Sequence, residues 1–149
     1  MSDPSPLDAH LGFWLRQVSN HVSQAFALKL KAHGVSVAEW VVLRLLWDAA
    51  VPPSRLAADL GMTRGAVTRL IDRLIEHGLV AREKAEGDRR FQAVRLTEAG
   101  RTQVPVLAAL ADQNDAEFFG HLSAEVRGAL EAQLRALVHE RSLNTLPVD

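Results

Sequence analysis

The chain contains no cysteine. Disulfides, thiolate nucleophiles, zinc fingers and thiol-based oxidant sensing are therefore all excluded together. A cysteine-free composition suits a reducing compartment, and cytoplasmic localisation is the expectation. Long apolar runs are also missing: no window approaches the roughly twenty apolar residues that span a bilayer. The opening MSDPSPLDAH lacks the basic-then-apolar pattern of a secretory signal, so no membrane partner is expected. Catalytic patterns are absent too. There is no HExxH pair, no nucleophile–base constellation and no glycine-rich phosphate loop, and GMTRG lacks the lysine and spacing of one. Neither an enzyme nor a metal site nor a resident cofactor is expected. With 149 residues, 48% of them hydrophobic, and no repeat or low-complexity linker, the chain reads as a single domain over 1–149.

Neither sign of charge dominates, since 17 Lys and Arg stand against 18 Asp and Glu. The distribution is uneven. From Ser54 to Arg95 nine basic residues face six acidic ones, a local charge of +3, whereas the remainder carries −4. A basic middle between acidic ends attracts phosphate without making the whole molecule sticky to nucleic acid.

That basic middle holds the most informative pattern. In SRLAADLGMTRGAVTRLIDRLIEHGLV the spacing predicts a short helix over Ser54–Leu60, a tight turn at Gly61, and a longer helix to His77 capped by Thr63. Ala66, Val67, Leu70, Ile71, Leu74 and Ile75 form one apolar face. Arg64, Gly65, Thr68, Arg69, Asp72 and Arg73 form the other, with small and hydroxyl residues toward the N-terminal end. That is the end a recognition helix presents to a major groove. Two alternating runs follow, Leu79–Lys84 and Phe91–Leu96, joined by the polar tip AEGDRR. They predict a hairpin with only one face packed, Gln92, Val94 and Leu96 lying on one side of its second run and Phe91, Ala93 and Arg95 on the other.

Helices flank this core. Ser5, Pro6 and Asp8 make a helix start, and apolar residues from Leu7 through Trp14 to Phe26 keep helical spacing until Gly34, about 28 residues against a usual mean of about 12. Ser36 with Glu39 forms a capping box for a second helix running to about Asp48, and Val51, Pro52 and Pro53 stop it. Thr97 caps a helix to about Phe119 and Ser123 a last one to about Leu143. Pro105 predicts a kink or a later start in the first of these. Leu130, Leu134, Leu137 and Val138 need partners that a single copy hardly supplies, so the terminal helices, about 5–33 and 98–145, are expected to pack on a second copy.

The fold class expected is mainly α with a small β wing: a winged helix-turn-helix core over about 36–100 with N- and C-terminal dimerisation helices. With these residues in place, the chain resembles the MarR (multiple antibiotic resistance regulator) family of winged-helix repressors. Leu56–Arg82 and Gly87–Gly100 carry the likeness. The resemblance implies a homodimeric transcription regulator, probing a pseudo-palindrome in double-stranded DNA with two winged domains. It implies recognition-helix contacts at Thr63, Arg64, Gly65, Thr68 and Arg69, with Ser54 and Arg73 added to the candidate set. In the wing it implies Arg90 in a minor groove, beside Arg89, with Asp88 holding the loop. The rival reading is a winged-helix protein-interaction module, with Arg73 paired to Asp72 or Glu76, Arg69 paired to Asp72, and Arg89 and Arg90 guarding a hairpin edge.

A small aromatic or carboxylate ligand that releases the repressor is a further expectation. Trp40, Arg44 and Trp47 fall at i, i+4 and i+7, so two indoles flank a guanidinium on one helical face, and His10, Trp14 and His21 approach from the first helix. The competing reading makes the tryptophans core and pairs Arg44 with Asp48.

Overall fold

The helix order follows from a sequence that alternates apolar stripes with capping residues. A computed structural model describes residues 1–84 and 92–149. A single 3₁₀ turn, Leu7–Ala9, precedes α1 (Leu11–Lys31), α2 (Val37–Leu45), α3 (Pro53–Leu60) and α4 (Arg64–Glu76). Strands β1 (Val80–Lys84) and β2 (Gln92–Leu96) follow, then α5 (Glu98–Phe119) and α6 (Ala124–Glu140). Among the described residues no helix is long and apolar enough to cross a membrane.

Several predicted boundaries move. The N-terminal helix does not start at Ser5. His10 sits in extended backbone between the 3₁₀ turn and α1, and the break is held locally, since the Trp14 indole N–H donates to the Asp8 carbonyl at 2.9 Å. α2 ends at Leu45 rather than near Asp48, and α6 at Glu140 rather than Leu143. α3 takes Pro53 into its first turn, where the missing N–H costs nothing. α5 starts on schedule and runs unbroken past Pro105, so the later start is overturned.

β1 and β2 pair antiparallel, Val80 opposite Leu96 and Lys84 opposite Gln92. Val51 does more than stop α2. Its N–H donates to the Val94 carbonyl at 3.0 Å and its carbonyl accepts from the Val94 N–H at 2.8 Å, so it adds a one-residue bridge to the sheet. Ala93 and Val94, on opposite sides of β2, are both buried, where the alternation predicts one packed face.

One core unites these elements: Leu30 of α1, Val42, Leu43 and Leu46 from α2 and its exit, Leu56 and Leu60 of α3, and Val67, Leu70, Ile71 and Leu74 of α4. Val80, Val94 and Leu96 of the sheet and Leu107 of α5 complete it. Gly100 lets α5 approach the hairpin, because a Cβ there would collide with the Leu79 carbonyl oxygen. α1 and α5 are tied by Lys29, whose ammonium donates to Asn114 Oδ1 at 3.0 Å and to Glu117 at 2.8 Å. α6 contributes no buried residue. It is tethered to α5 by a two-pronged Arg127–Asp115 pair at 2.8 and 3.2 Å.

Candidate nucleic-acid interface

Two short helices and the turn between them set the geometry. Gly61 adopts φ 62°, ψ 32° at the end of α3, a left-handed conformation that costs glycine nothing. Thr63 then turns its hydroxyl to accept the Ala66 N–H at 3.1 Å, satisfying one open donor of α4. Val67, Leu70, Ile71 and Leu74 lock the inner face of α4 into the core. The outer face is thereby fixed in space rather than flexing with a loop.

Thr63, Arg64, Gly65, Thr68, Arg69 and Arg73 are all exposed on that outer side, and Ser54 is exposed at the start of α3. Among the described residues nothing lies within 4 Å of a Cβ built on Gly65. No neighbour in the fold demands glycine there, and its absence of a side chain leaves room for close approach from outside. The charge pairing differs from both sequence alternatives. Asp72 pairs with Arg82 of β1 at 3.3 Å, and Arg73 with Glu39 of α2 at 3.9 Å. Among the described residues Arg64 and Arg69 have no ion-pair partner within 4 Å, leaving two guanidinium groups directed outward at the N-terminal half of α4. The wing-tip residues Asp88, Arg89 and Arg90 lie outside the described residues.

The six residues expected to hold a ligand do not converge. Trp14 is 51% exposed and, with His21, lines an apolar groove of about 1070 Å³ bounded by Val18, Phe118, Leu130 and Leu134. His10 stands at the entry to α1, its Nδ1 3.3 Å from the Leu7 carbonyl. Trp40 lines a different cavity of about 350 Å³ between α1, α2 and α5, together with Val22, Phe26, Val37, Asn114 and Phe119. The expectation of a guanidinium between Trp40 and Trp47 is overturned. Because α2 ends at Leu45, the helical i+7 relation does not extend to Trp47. Arg44 instead bonds Asp48 at 3.3 Å, and the cation over the Trp47 ring is Arg101, 5.3 Å from its centre.

Sequence reasoning missed three positions. Glu39 was read as a capping residue. Its backbone N–H does donate to Ser36 Oγ at 3.1 Å, but its carboxylate is buried, 5% exposed, and reaches Arg73 instead of back to Ser36. Asn114, also buried, donates its amide to the Val22 carbonyl at 3.1 Å; a lone polar residue in the apolar series of α5 was the available signal. Leu146 binds α3 through its backbone, which no side-chain pattern announces.

Comparison with known proteins bears on the whole arrangement. A family model described as MarR family matches residues 33–90. The HTH-type transcriptional regulator MgrA of Staphylococcus aureus is 29% identical over 115 residues, covering 76% of this chain and 78% of MgrA. CouR from Rhodococcus jostii RHA1, solved bound to p-coumaroyl-CoA, superposes with a TM-score of 0.78 at 28% identity, covering 90% of this chain and 95% of CouR. BpsR of Bordetella bronchiseptica, whose DNA binding is regulated by 6-hydroxynicotinic acid, gives a TM-score of 0.78 at 26% identity over 91% of this chain and 97% of its own. The matched segment runs from before α2 past β1, where Gly61, Thr63 and the buried face of α4 set the helix pair, and in this segment the chain is similar to the MarR family of winged helix-turn-helix transcription regulators.

Proposed function

We propose that this chain is a dimeric repressor that binds a pseudo-palindromic operator in double-stranded DNA and is released by a small aromatic or carboxylate ligand. The observation that carries the reading is the outer face of α4: Arg64, Gly65, Thr68 and Arg69 exposed together on a helix whose other face is buried. Such a face inserts its N-terminal half into a major groove, with side chains to base edges and guanidinium groups to guanine or phosphate. Ser54, at the start of α3, reaches the adjoining phosphates. Arg90 and Arg89 of the wing enter the neighbouring minor groove with Asp88 ordering the loop, a placement that rests on the sequence.

Dimerisation is supported by apolar residues left uncovered on α1 and α6, among them Trp14, Val18, Leu130 and Leu134. Such a patch on a single copy marks an interaction surface. For the ligand, the aromatic-walled cavity at Trp40 is the better supported site, since Phe26 stands edge-on to the Trp40 ring at 6.4 Å and Asn114 supplies a polar group. Trp14 and His21 then belong to the dimer-facing groove, Arg44 to the surface of the winged core, and Trp47 to the half-buried layer packed against that core.

Fluorescence anisotropy against duplex DNA from upstream of the protein's own gene, beside a scrambled duplex and across a salt series, tests the reading. Preferential, saturable, salt-dependent binding is expected, with Arg69→Ala weakening it by about 5- to 150-fold, the loss of about 1–3 kcal/mol for one good base contact. Equal affinity for the two duplexes, or no effect of Arg69→Ala, would refute it.

A further inference from the structure

We propose that the C-terminal segment Thr145–Val148 is a built-in strap closing one side of the cavity between α1, α2 and α5, and that a ligand filling the whole groove has to displace it. The inference rests on the proposed effector site and adds its regulation.

The chain reversal that delivers this segment is a formed structure. At the end of α6, Ser142 takes φ 52°, a left-handed conformation that a side chain rarely adopts. Around it the Ser142 N–H donates to the His139 carbonyl at 3.2 Å, and the Leu143 N–H to the Val138 carbonyl at 3.0 Å. These are the paired bonds of a helix terminus that turns the chain sharply back, a position usually held by glycine or asparagine. A serine held there needs compensating contacts further along, and the segment makes three kinds.

First, the Leu146 N–H donates to the Asp59 carbonyl at 3.0 Å. That carbonyl belongs to the last turn of α3, where helix geometry leaves oxygens without an internal partner. Second, Thr145 packs against the turn between α3 and α4. Its Cγ2 lies 3.0 Å and its Cβ 3.5 Å from where a Gly61 Cβ would stand, so glycine at position 61 serves the docked tail as well as the left-handed turn. Third, Val148 is half-buried against the core, while Pro147 and Asp149 line the same cavity as Trp40, Phe26 and Phe119. Pro147 holds Leu146 in extended backbone, the conformation that a strap along a groove requires.

One segment thus touches the cavity wall at one end and the helix-pair turn at the other. Pro147 and Asp149 wall a cavity of about 350 Å³ that stays open beside the docked segment, so a flat aromatic ligand against Trp40 gains the rest of the groove only by displacing Pro147–Val148. A ligand that wins also breaks the tail's bond to Asp59 and its contact at Gly61.

The test uses the full chain in two variants. Leu146→Pro removes the N–H that Asp59 accepts, and Val148→Glu places a charge where an apolar side chain packs. Hydrogen exchange at the Leu146 amide of the unmodified chain reads docking directly. Ligand access is read with anilinonaphthalene sulfonate, an aromatic anion, by energy transfer from Trp40 in a background of Trp14→Phe and Trp47→Phe. Protection of the Leu146 amide is expected, together with probe binding tightened about tenfold in both variants, as for a site freed from an occupant present about nine-tenths of the time. Duplex binding should persist in both. Exchange of Leu146 at the free-chain rate, or unchanged probe affinity in folded variants, would overturn the proposal, as would loss of duplex binding in both, which would make the segment a brace. If the unmodified chain binds no duplex at all, the repressor reading fails instead, while the exchange measurement still decides whether the tail docks.

Discussion

Glu39 shows how a single residue can carry two readings. From its place three residues after Ser36 it is a capping residue, and its backbone does fill that role. Its carboxylate meets Arg73 at 3.9 Å, and its Oε2 has no hydrogen-bond partner among the described residues. A buried carboxylate with one distant cation is a poor contributor to stability. The two partners are not equivalent, because the Arg73 side chain is 60% exposed and that of Glu39 only 7%. Glu39→Gln removes the buried charge and leaves Arg73 free to be solvated, so stability should hold within about 1 kcal/mol or rise. Arg73→Ala leaves the carboxylate buried and unpaired and should cost about 1–3 kcal/mol. Urea unfolding midpoints compare the two; an Arg73→Ala midpoint equal to that of the unmodified chain would show that the pair contributes nothing. The sequence shows Arg73 beside Asp72 and near Glu76, and proximity along one helix suggested those pairs. The preferred partners came from α2 and β1, which only the tertiary fold brings near.

At the scale of elements, residues with local chemistry were legible. Thr63, Ser36, Thr97 and Ser123 each accept the expected backbone N–H, because capping is decided within four residues. Boundaries that depend on distant neighbours were not. The bridge at Val51 joins it to Val94, 43 residues on, and the burial of Ala93 is likewise a matter of tertiary packing. The tie between α1 and α5 belongs with these, since Lys29 and Glu117 stand 88 residues apart. The hydrogen bond from Lys29, aided by that from Gln113, holds the Glu117 carboxyl below the ordinary carboxylate range. A carboxyl depressed in the folded state stabilises above its unfolded pKa, and that contribution is lost as pH falls through the folded value. The melting temperature of the unmodified chain should therefore fall more steeply than that of Glu117→Gln as the pH drops below about 4.3. At neutral pH the unmodified chain should be the more stable by a small margin, small because the pair is exposed and screened, and the margin should close in acid. Parallel acid limbs would remove any role for this pair in holding α1 to α5.

At the scale of the whole molecule, the helix pair and wing were legible because their spacing is compact, whereas the ligand residues were scattered by the fold. Trp40 and Trp14 face different hollows, and the helix that was to align Trp47 ends before it. The largest remaining feature is the uncovered apolar surface of α1 and α6. Leu130, Leu134 and Leu137 recur at helical spacing and are each 40% or more exposed, while α6 buries nothing within its own chain. A helix of this kind gains its stability by packing, and α6 has such packing only if a second copy covers it. A stable interface of this type buries roughly 1,200–2,000 Å². Leu134→Arg puts a charge at the middle of the stripe without touching the core of the winged domain. Sedimentation should find the unmodified chain at twice its monomer mass and the variant at the monomer mass, with the winged domain still folded. Each winged domain would then meet its half-site alone. Loss of the second, effectively intramolecular contact should weaken binding to a two-half-site operator by about a hundredfold or more, while affinity for a single half-site changes little. A variant that stays dimeric and binds the full operator normally would place the dimer contact elsewhere and leave the face of α6 without a role.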